Sequence, residues 1–464
     1  MRNNNKLSLV EKISYGSGDF ASSIFWSLFS MFLLFFYTDV FGITAAAAGT
    51  MFLVTRLWDA LNDPLMGMIG DRTKTKWGKF RPYLLFVALP FAIIGTLTFT
   101  TPDMSSSNKL IYAYVTYTLM MMVYTAINVP YASLLGVMTK DSQERTSLAS
   151  FRFLGGFAGG LLVTATANSL IDYFSADADM AIGYRNTIAI YAVVAAIFFI
   201  FTFLGTKERL DPEEVKESSF KDDLQDLLRN KPWFIMLGAT ISILVCSSLK
   251  GNAILYYFKY YVGSQNVIFF GELEHGALSA AFMTSGQIAA ILGVILAIPL
   301  AGKIGKKNTF LLSGLVCAVL SILFFFIPPH QIIFIFLINL FIGMSSSIVF
   351  PLIWSIYGDI SDYSEWKTGR RATGLIFSSS SMSQKLGWTI GGAISGWTLS
   401  AFGFVANEIQ TDESIMGIRL MISFFAAGGA LLSVAFMYYY PLSEDYIIEI
   451  KEELEKNRSK TKSN

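Results

Sequence analysis

The sequence has few charged residues for its length and few residues of the types that build catalytic or metal centres. Charged residues make up 15% of the 464 residues, whereas a soluble protein of this size has roughly 25%. Its two cysteines, Cys246 and Cys317, both fall in apolar runs, and it has two histidines. No disulfide framework, Ser-His-Asp set or His/Cys metal cluster can be assembled from these residues, and no Walker A sequence is present. These absences argue against an enzyme and against ATP-driven transport.

Apolar residues are abundant instead, at 53% of the chain with a mean hydropathy of +0.51. Runs of about 20 apolar residues, the length that crosses a bilayer as a helix, recur along the whole sequence. The N-terminus lacks a secretory signal, so the first helix is expected to act as the insertion signal. The pattern predicts an all-α polytopic membrane protein. Its twelve transmembrane helices are predicted at 14–40, 45–69, 82–100, 110–138, 149–172, 186–205, 233–262, 277–301, 309–327, 332–357, 371–401 and 416–440.

The distribution of lysine and arginine gives the expected orientation. Most of the 35 basic residues fall in the termini and in alternate connections, whereas the opposite connections hold only Lys109 and Arg185. Because basic residues concentrate in cytoplasmic loops, both termini are expected in the cytoplasm. Similar charged connections recur in the two halves, which predicts two six-helix bundles. The expected domains are bundles at 1–206 and 233–441, a cytoplasmic linker at 207–232 and a cytoplasmic tail at 442–464.

Two aspartates lie one helical turn apart inside the second apolar segment. Asp59 and Asp63 share one helix face, with Asn62 nearby, because residues four apart are neighbours on a helix. An ionised carboxylate at bilayer depth is costly, so it is retained where it pairs, binds a cation or faces water. Two adjacent carboxylates in a low dielectric form a site for a small cation or a shared proton. The alternative is an ion pair with Arg56 that only fixes helix packing.

Helix one carries a second group of polar residues. Asp19 and Ser23 lie on one face, and Trp26 lies on the same side of the helix as Asp19. An aromatic ring beside polar groups is a common platform for a sugar, since the ring covers C–H faces and the polar groups bind hydroxyls. The alternative is an interfacial tryptophan with a capping carboxylate near the cytoplasmic end.

Helices four, five and eleven carry further candidates for a cavity. Tyr124 and Asn128 recur on one stripe of helix four, which otherwise reads as a polar seam between helices. Arg152 begins helix five. In the alternative interpretation its side chain snorkels to the cytoplasmic surface. Lys385 lies well inside helix eleven with Trp388 after it, and an unpaired lysine against lipid is costly. The side chains of helices four and eleven are expected to face a substrate or one another, whereas Arg152 gains such a role only from a resemblance to a known family.

Several short motifs together resemble one transporter family. They are Tyr15-Gly-Ser-Gly-Asp19, Tyr37-Thr-Asp-Val-Phe-Gly42, Arg56-Leu-Trp-Asp-Ala-Leu-Asn-Asp-Pro64, Gly70-Asp-Arg72, Trp77-Gly-Lys-Phe-Arg-Pro82, Asp359-Ile-Ser-Asp-Tyr363 and Gln384-Lys-Leu-Gly387. From about Lys12 to Leu442 the sequence resembles the glycoside–pentoside–hexuronide:cation symporters, the melibiose carrier family of the major facilitator superfamily. The resemblance implies the major facilitator fold, with two six-helix bundles around a central site.

The resemblance also implies roles for individual residues. In that family the helix-two aspartates and a helix-four threonine bind the coupling cation, which implies Asp59, Asp63 and Thr125 here, with Asn62 at hand. This oxygen-only set suits Na⁺ if both carboxylates are ionised and H⁺ if one is protonated, and the sequence leaves that choice open.

The implied sugar site departs from that of the melibiose carrier. Ser23 and Asn128 stand where that carrier has sugar-binding aspartates, whereas Arg152 and Lys385 match its arginine and lysine. Asp19 lies one turn before Ser23, in the Gly-Asp form of other family members. The implied substrate is therefore a glycoside, pentoside or hexuronide other than melibiose.

Charged residues at the cytoplasmic ends of helices two, ten and eleven form a candidate salt-bridge gate. Positive-inside charge explains the basic residues but not the acidic ones at the end of helix ten. The gate candidates are Asp71, Arg72, Asp359, Asp362 and Arg371.

The sequence therefore predicts a transporter of the bacterial cytoplasmic membrane and not an enzyme. It is expected to import a sugar or glycoside by symport with Na⁺ or H⁺ through alternating access, with no cofactor and no nucleic-acid partner. Two alternatives remain within transport, a carrier of a lysolipid or drug and an uncoupled sugar facilitator. A membrane enzyme or sensor is the third.

Overall fold

The computed structural model describes residues 7–139, 142–176, 179–209, 227–267, 271–368 and 373–462. The first half of the chain contains α1 (Leu9–Met31, continued by Leu33–Phe35 and a π-helical turn Phe36–Val40), α2 (Ala45–Arg72), α3 (Arg81–Phe86 and Ala88–Thr98), α4 (Ser106–Met138), α5 (Ser142–Ser175) and α6 (Met180–Gly205). The second half contains α7 (Lys231–Tyr256 and a π-helical turn Tyr257–Val262), the strands β1 (Gln265–Val267) and β2 (Gly271–Leu273), α8 (His275–Ile304), α9 (Lys306–Phe325), α10 (Ile332–Thr368), α11 (Thr373–Ala401), α12 (Asp412–Leu420, a π-helical turn Met421–Phe425 and Ala426–Tyr438) and α13 (Glu444–Lys462).

Each of the twelve predicted spans coincides with one of the helices α1 to α12. Within the described residues, eight of these helices are long and apolar enough to cross a membrane, and α1 makes a ninth if its two parts, bent by 52°, form one span. Apolar side chains on their surfaces are exposed, for example Leu89 and Ile298. Such surfaces are expected where a helix faces lipid tails.

Local sequence signals explain where the first two helices begin. Ser8 caps α1 by accepting a hydrogen bond from the Glu11 backbone N–H, and the Glu11 side chain accepts one from the Ser8 N–H. This reciprocal pair is a capping box. Thr44 caps α2 in the same way through the N–H of Ala47. Both caps satisfy backbone donors that the first turn of a helix leaves free.

The chain forms two compact units. The first unit contains residues Met1–Glu214, Ile254–Gln287 and Gly392–Gly417, so it joins the first six helices to the end of α7, the start of α8 and the end of α11. The second unit contains Val215–Ala253, Ile288–Gly391 and Ile418–Asn464. The assignment of 1–206 and 233–441 to two six-helix bundles stays a prediction, and residues 210–226 of the linker lie outside the described residues.

The first unit is built around the close packing of α1 on α5 and α6. A Cβ placed on Gly155 would lie 2.0 Å from the Gly16 carbonyl oxygen, and one placed on Gly159 would lie 2.4 Å from the Phe20 carbonyl oxygen. Small residues let two membrane helices approach to backbone contact, where van der Waals packing is most favourable. This packing places side chains of α1 next to side chains of α5.

The second unit is built around α9, which packs on α10 and α12. The tail helix α13 lies against α10 and buries Ile447, Ile450 and Leu454. Trp366 Nε1 donates a hydrogen bond of 2.6 Å to Glu453 Oε2. The tail therefore forms an amphipathic helix with one buried face. Cys246 and Cys317 are both buried and free.

The motif Trp77–Pro82 holds a carboxylate with backbone N–H groups. Glu208, which follows α6, accepts hydrogen bonds of 2.8, 2.8 and 2.9 Å from the N–H groups of Lys79, Phe80 and Arg81. Gly78 has φ +109°, and a Cβ there would lie 2.4 Å from the Glu208 carboxylate. The motif therefore needs glycine for backbone conformation and for space, and it ties the start of α3 to the end of α6.

Replacing Glu208 by alanine is expected to destabilise the protein by about 2–4 kcal/mol, because three backbone donors lose a charged acceptor. Thermal unfolding in detergent measures this change. Glu272→Ala, at an exposed position of β2, is the matched control. Equal melting temperatures for the two variants would contradict a stabilising role of Glu208.

Candidate functional site

The two aspartates of α2 meet the hydroxyl of Thr125 on α4. Thr125 Oγ1 lies 2.9 Å from Asp59 Oδ1 and 2.9 Å from Asp63 Oδ1. Asp59 and Thr125 are buried, while Asp63 and Asn62 are half-buried. The structure thus brings together the aspartate pair predicted from helix spacing and the threonine implied by the family resemblance. The side chain of Arg56, the alternative partner of the aspartates, lies outside the described residues.

This arrangement places two acidic groups on one hydroxyl. A hydroxyl has one proton to donate, so Thr125 donates to only one of the two carboxylates at a time. The second oxygen–oxygen contact is satisfied when that carboxyl carries a proton or when a cation lies against the same oxygens. Carboxylate, hydroxyl and amide oxygens are the ligands that hard cations prefer, so the donor set fits Na⁺ as well as H⁺.

Asp19 and Arg152 form an ion pair between α1 and α5. Arg152 Nε lies 3.1 Å from Asp19 Oδ1, and the guanidinium lies over the Tyr131 ring at 5.3 Å from its centroid. Tyr131 stacks on Tyr15, with 4.9 Å between ring centroids, and its hydroxyl donates to the Tyr15 carbonyl oxygen. The ring stack and the close packing of α1 on α5 fix where the pair lies. Sequence reasoning proposed both residues for the site but did not pair them.

The remaining candidates of α1 and α4 continue this polar layer. Ser22 donates a hydrogen bond of 2.9 Å to Asn128 Oδ1, and Asn128 Nδ2 donates to the Tyr124 carbonyl oxygen. The centroids of the Trp26 and Tyr124 rings lie 6.2 Å apart. Ser23 lies beside Gly156 of α5, where a Cβ would approach its hydroxyl at 3.2 Å. Aromatic rings and hydrogen-bonding groups of α1, α4 and α5 are therefore neighbours in the first unit.

Lys385 and Trp388 lie on α11, in the part that belongs to the second unit. The Lys385 carbonyl oxygen accepts a hydrogen bond from Thr389, and the Trp388 carbonyl oxygen accepts one from Ser248 of α7. A Cβ on Gly387 would lie 2.6 Å from Leu244. This close packing of α11 on α7 sets the position of both side chains, which are half-buried.

The gate candidates are only partly described. Asp359 is buried at the end of α10 and pairs with Lys306 of α9 at 2.5 Å, and Asp362 is half-buried one turn later. Arg72 is exposed at the end of α2. The Asp71 side chain and Arg371 lie outside the described residues. The pairing of Asp359 with Lys306 was not expected from the sequence, which offered no partner in α9.

Sequence reasoning also missed a buried ion pair in the first unit, formed by Asp39. Lys259 Nζ lies 2.8 Å from Asp39 Oδ1, and the Asp39 side chain is fully buried. The same carboxylate accepts hydrogen bonds from the Tyr260 hydroxyl and from Thr38 Oγ1. Asn407, at φ 60°, donates to the Asp39 carbonyl oxygen and accepts from Lys259. The signal in the sequence was Asp39 itself, a carboxylate in the apolar end of the first span.

Comparison with known proteins decides the family. A model of the family described as MFS/sugar transport protein matches residues 14–444. The chain belongs to this family. The transporter is 38% identical to the inner membrane symporter YicJ of Escherichia coli K12, over 97% of this chain and 95% of the relative. It is 36% identical to the isoprimeverose transporter of Lactiplantibacillus pentosus, over 94% of this chain and 89% of the relative.

A solved structure agrees with this assignment at the level of the fold. The transporter matches a mutant of the nucleoside transporter NupG with a TM-score of 0.67 and 15% identity, over 93% of this chain and 100% of that chain. The predicted membership of the glycoside–pentoside–hexuronide:cation symporters and the major facilitator fold are confirmed. The transporter is a sugar symporter and a multi-pass protein of the bacterial inner membrane, and the expectation that it is not an enzyme is confirmed.

Proposed function

We propose that this symporter imports a glycoside, pentoside or hexuronide and uses the α2 aspartates, Asn62 and Thr125 as the site of its coupling ion, Na⁺ or H⁺. The observation that carries the proposal is the Thr125 hydroxyl at 2.9 Å from both Asp59 and Asp63. Two adjacent carboxylates around one hydroxyl form an oxygen-only donor set that suits a small cation or a shared proton. Ion binding therefore changes the charge of this region by a full unit.

The sugar site is proposed next to the coupling site. Thr125 is three residues before Asn128 on α4, so the ion ligand and the polar layer around Asn128 share one helix face. The Asp19–Arg152 pair presents an acceptor and a donor side by side, which suits neighbouring hydroxyls of a sugar. Trp26 and Tyr124 supply the aromatic surface. Lys385 and Trp388 of α11 remain proposed as substrate-binding residues.

The transport cycle is proposed to follow alternating access. Ion and sugar bind together, and their combined binding energy shifts the population from outward-open to inward-open states. The cytoplasmic gate is proposed at Asp71, Arg72, Asp359, Asp362 and Arg371, with both termini in the cytoplasm. The Asp359–Lys306 pair supports a role of this region in charge-mediated closure, because a buried carboxylate at 2.5 Å from an ammonium is costly to separate.

Sugar-triggered cation movement in right-side-out membrane vesicles tests the proposal. A panel of glycosides, xylosides and glucuronides is added while Na⁺ and H⁺ electrodes record the medium. The expected result is ion uptake triggered by at least one sugar, and the responding electrode identifies the ion. Sugar uptake without movement of either ion would contradict coupling and leave a facilitator. No uptake of any sugar would contradict the substrate class.

A further inference from the structure

The facing surfaces of α1 and α5 carry matched stripes of side chains. Asp19 and Ser27 are eight residues apart on α1, and Arg152 and Gly160 are eight residues apart on α5. Residues at this spacing lie two helical turns apart on neighbouring parts of the helix surface. The Asp19–Arg152 pair forms one end of the stripe. At the other end, a Cβ placed on Gly160 would lie 3.3 Å from Ser27 Oγ and 3.1 Å from Gln287 Nε2 of α8.

The glycines of α5 are of two kinds. Gly155 and Gly159 face the backbone of α1, where a Cβ would lie 2.0 and 2.4 Å from carbonyl oxygens, so they serve helix packing. Gly156 and Gly160 face polar side chains instead. A Cβ on Gly156 would lie 2.9 Å from Asp19 Oδ2, and one on Gly160 would lie beside Ser27 and Gln287. The second pair therefore gives room to the polar side chains of the stripe and does not bring the backbones together.

The polar side chains at the far end of the stripe form no hydrogen bond with the part of the chain that the structure describes. Ser17 and Ser30 on α1 each donate a hydrogen bond to a carbonyl oxygen of their own helix, the usual solution for a serine in a membrane helix. The side chains of Ser27 and Gln287 make no hydrogen bond among the described residues, although Ser27 is only 9% exposed. The Ser27 hydroxyl and the Gln287 amide can therefore form hydrogen bonds with a ligand.

We propose that Ser27, Gly160 and Gln287 form a second sugar subsite, so that the symporter accommodates a two-ring glycoside whose first ring lies at Asp19 and Arg152. This inference rests on the proposed sugar site. The eight residues from Asp19 to Ser27 span about 12 Å of helix, enough for two linked rings. The amide of Gln287 is neutral and has both donors and an acceptor, so it suits hydroxyls and not a carboxylate. The second ring is therefore a neutral sugar.

The test compares one-ring and two-ring sugars in the purified transporter in detergent with Na⁺ present. The one-ring probes are methyl xylosides and methyl glucosides, and the two-ring probes are isoprimeverose, xylobiose and cellobiose. Wild type is expected to bind at least one two-ring probe more tightly than its one-ring counterparts. Gln287→Ala and Gly160→Ala are each expected to weaken two-ring binding by roughly tenfold through a lost hydrogen bond or lost space, and to leave one-ring binding unchanged.

The controls separate this inference from the proposed function. Ser17→Ala, whose hydroxyl bonds within α1, is expected to bind both probe classes as wild type does. If Gly160→Ala fails to fold, Gln287→Ala carries the test, because the Gln287 side chain is half-buried and makes no hydrogen bond to a described residue. Wild type and variants that bind both ring sizes with unchanged affinity would overturn the second subsite alone. Wild type that binds none of the sugars would overturn the sugar site and the subsite together.

Discussion

Replacing Asp59 or Asp63 by asparagine is expected to reduce cation-driven sugar accumulation on the order of 100-fold, which corresponds to about 2.7 kcal/mol of lost coupling. Asparagine keeps the size of the side chain and its hydrogen bond with Thr125 but removes the negative charge. The single carboxylate that remains binds the coupling cation more weakly in the low dielectric of the membrane. Sugar accumulation in energised cells or vesicles measures the loss, and exchange of sugar without a gradient measures what remains.

The comparison of accumulation with exchange identifies the coupling step. Coupling-site variants are expected to retain part of the exchange, because the Asp19–Arg152 pair is unchanged. Asp103→Asn, an exposed aspartate between α3 and α4, is the matched control and is expected to accumulate sugar as wild type does. Full accumulation in both Asp59→Asn and Asp63→Asn would show that the ion binds elsewhere.

Hydropathy and charge were sufficient to predict the helices, because the bilayer allows few solutions. Each backbone polar group in lipid must be satisfied within the segment, so a long apolar run becomes a helix. The irregular parts of these helices were not predictable in this way. The break of α1 before Leu33 and the π-helical turn Phe36–Val40 depend on tertiary contacts, such as the hydrogen bond between Thr38 and Tyr256. The grouping of the end of α7 with the first unit depends on such contacts as well.

The residues of the candidate site also differ in whether local sequence alone could predict them. Asp59 and Asp63 were found from sequence because they lie on one helix and their spacing alone places them together. Arg152 was assigned to the site only through the family resemblance, because its partner Asp19 lies 133 residues away in the chain. Gln287 gave no signal, since a single glutamine in an apolar helix has no periodic pattern. Gln287 becomes a candidate only because its amide lies close to Gly160, which is on a different helix.

Replacing Asp39 by alanine is expected to destabilise the protein by about 3–5 kcal/mol, because it leaves the Lys259 ammonium without its buried counter-charge. Asp39 Oδ1 lies 2.8 Å from Lys259 Nζ, and the carboxylate also accepts hydrogen bonds from Tyr260 and Thr38. All of these partners would lose an acceptor at once. Unfolding in detergent measures the change, with Asp179→Ala, an exposed aspartate at the start of α6, as the control.

The double variant Asp39→Leu/Lys259→Met shows whether the ion pair itself contributes to the free energy of unfolding or only holds the neighbouring side chains in position. Removal of both charges restores an apolar environment, so most of the lost stability is expected to return. The remaining contacts of Asn407 with Tyr260 and the Asp39 backbone would still join the end of α1 to the end of α7. A double variant as unstable as Asp39→Ala would mean that Thr38 and Tyr260, and not Lys259, depend on the carboxylate.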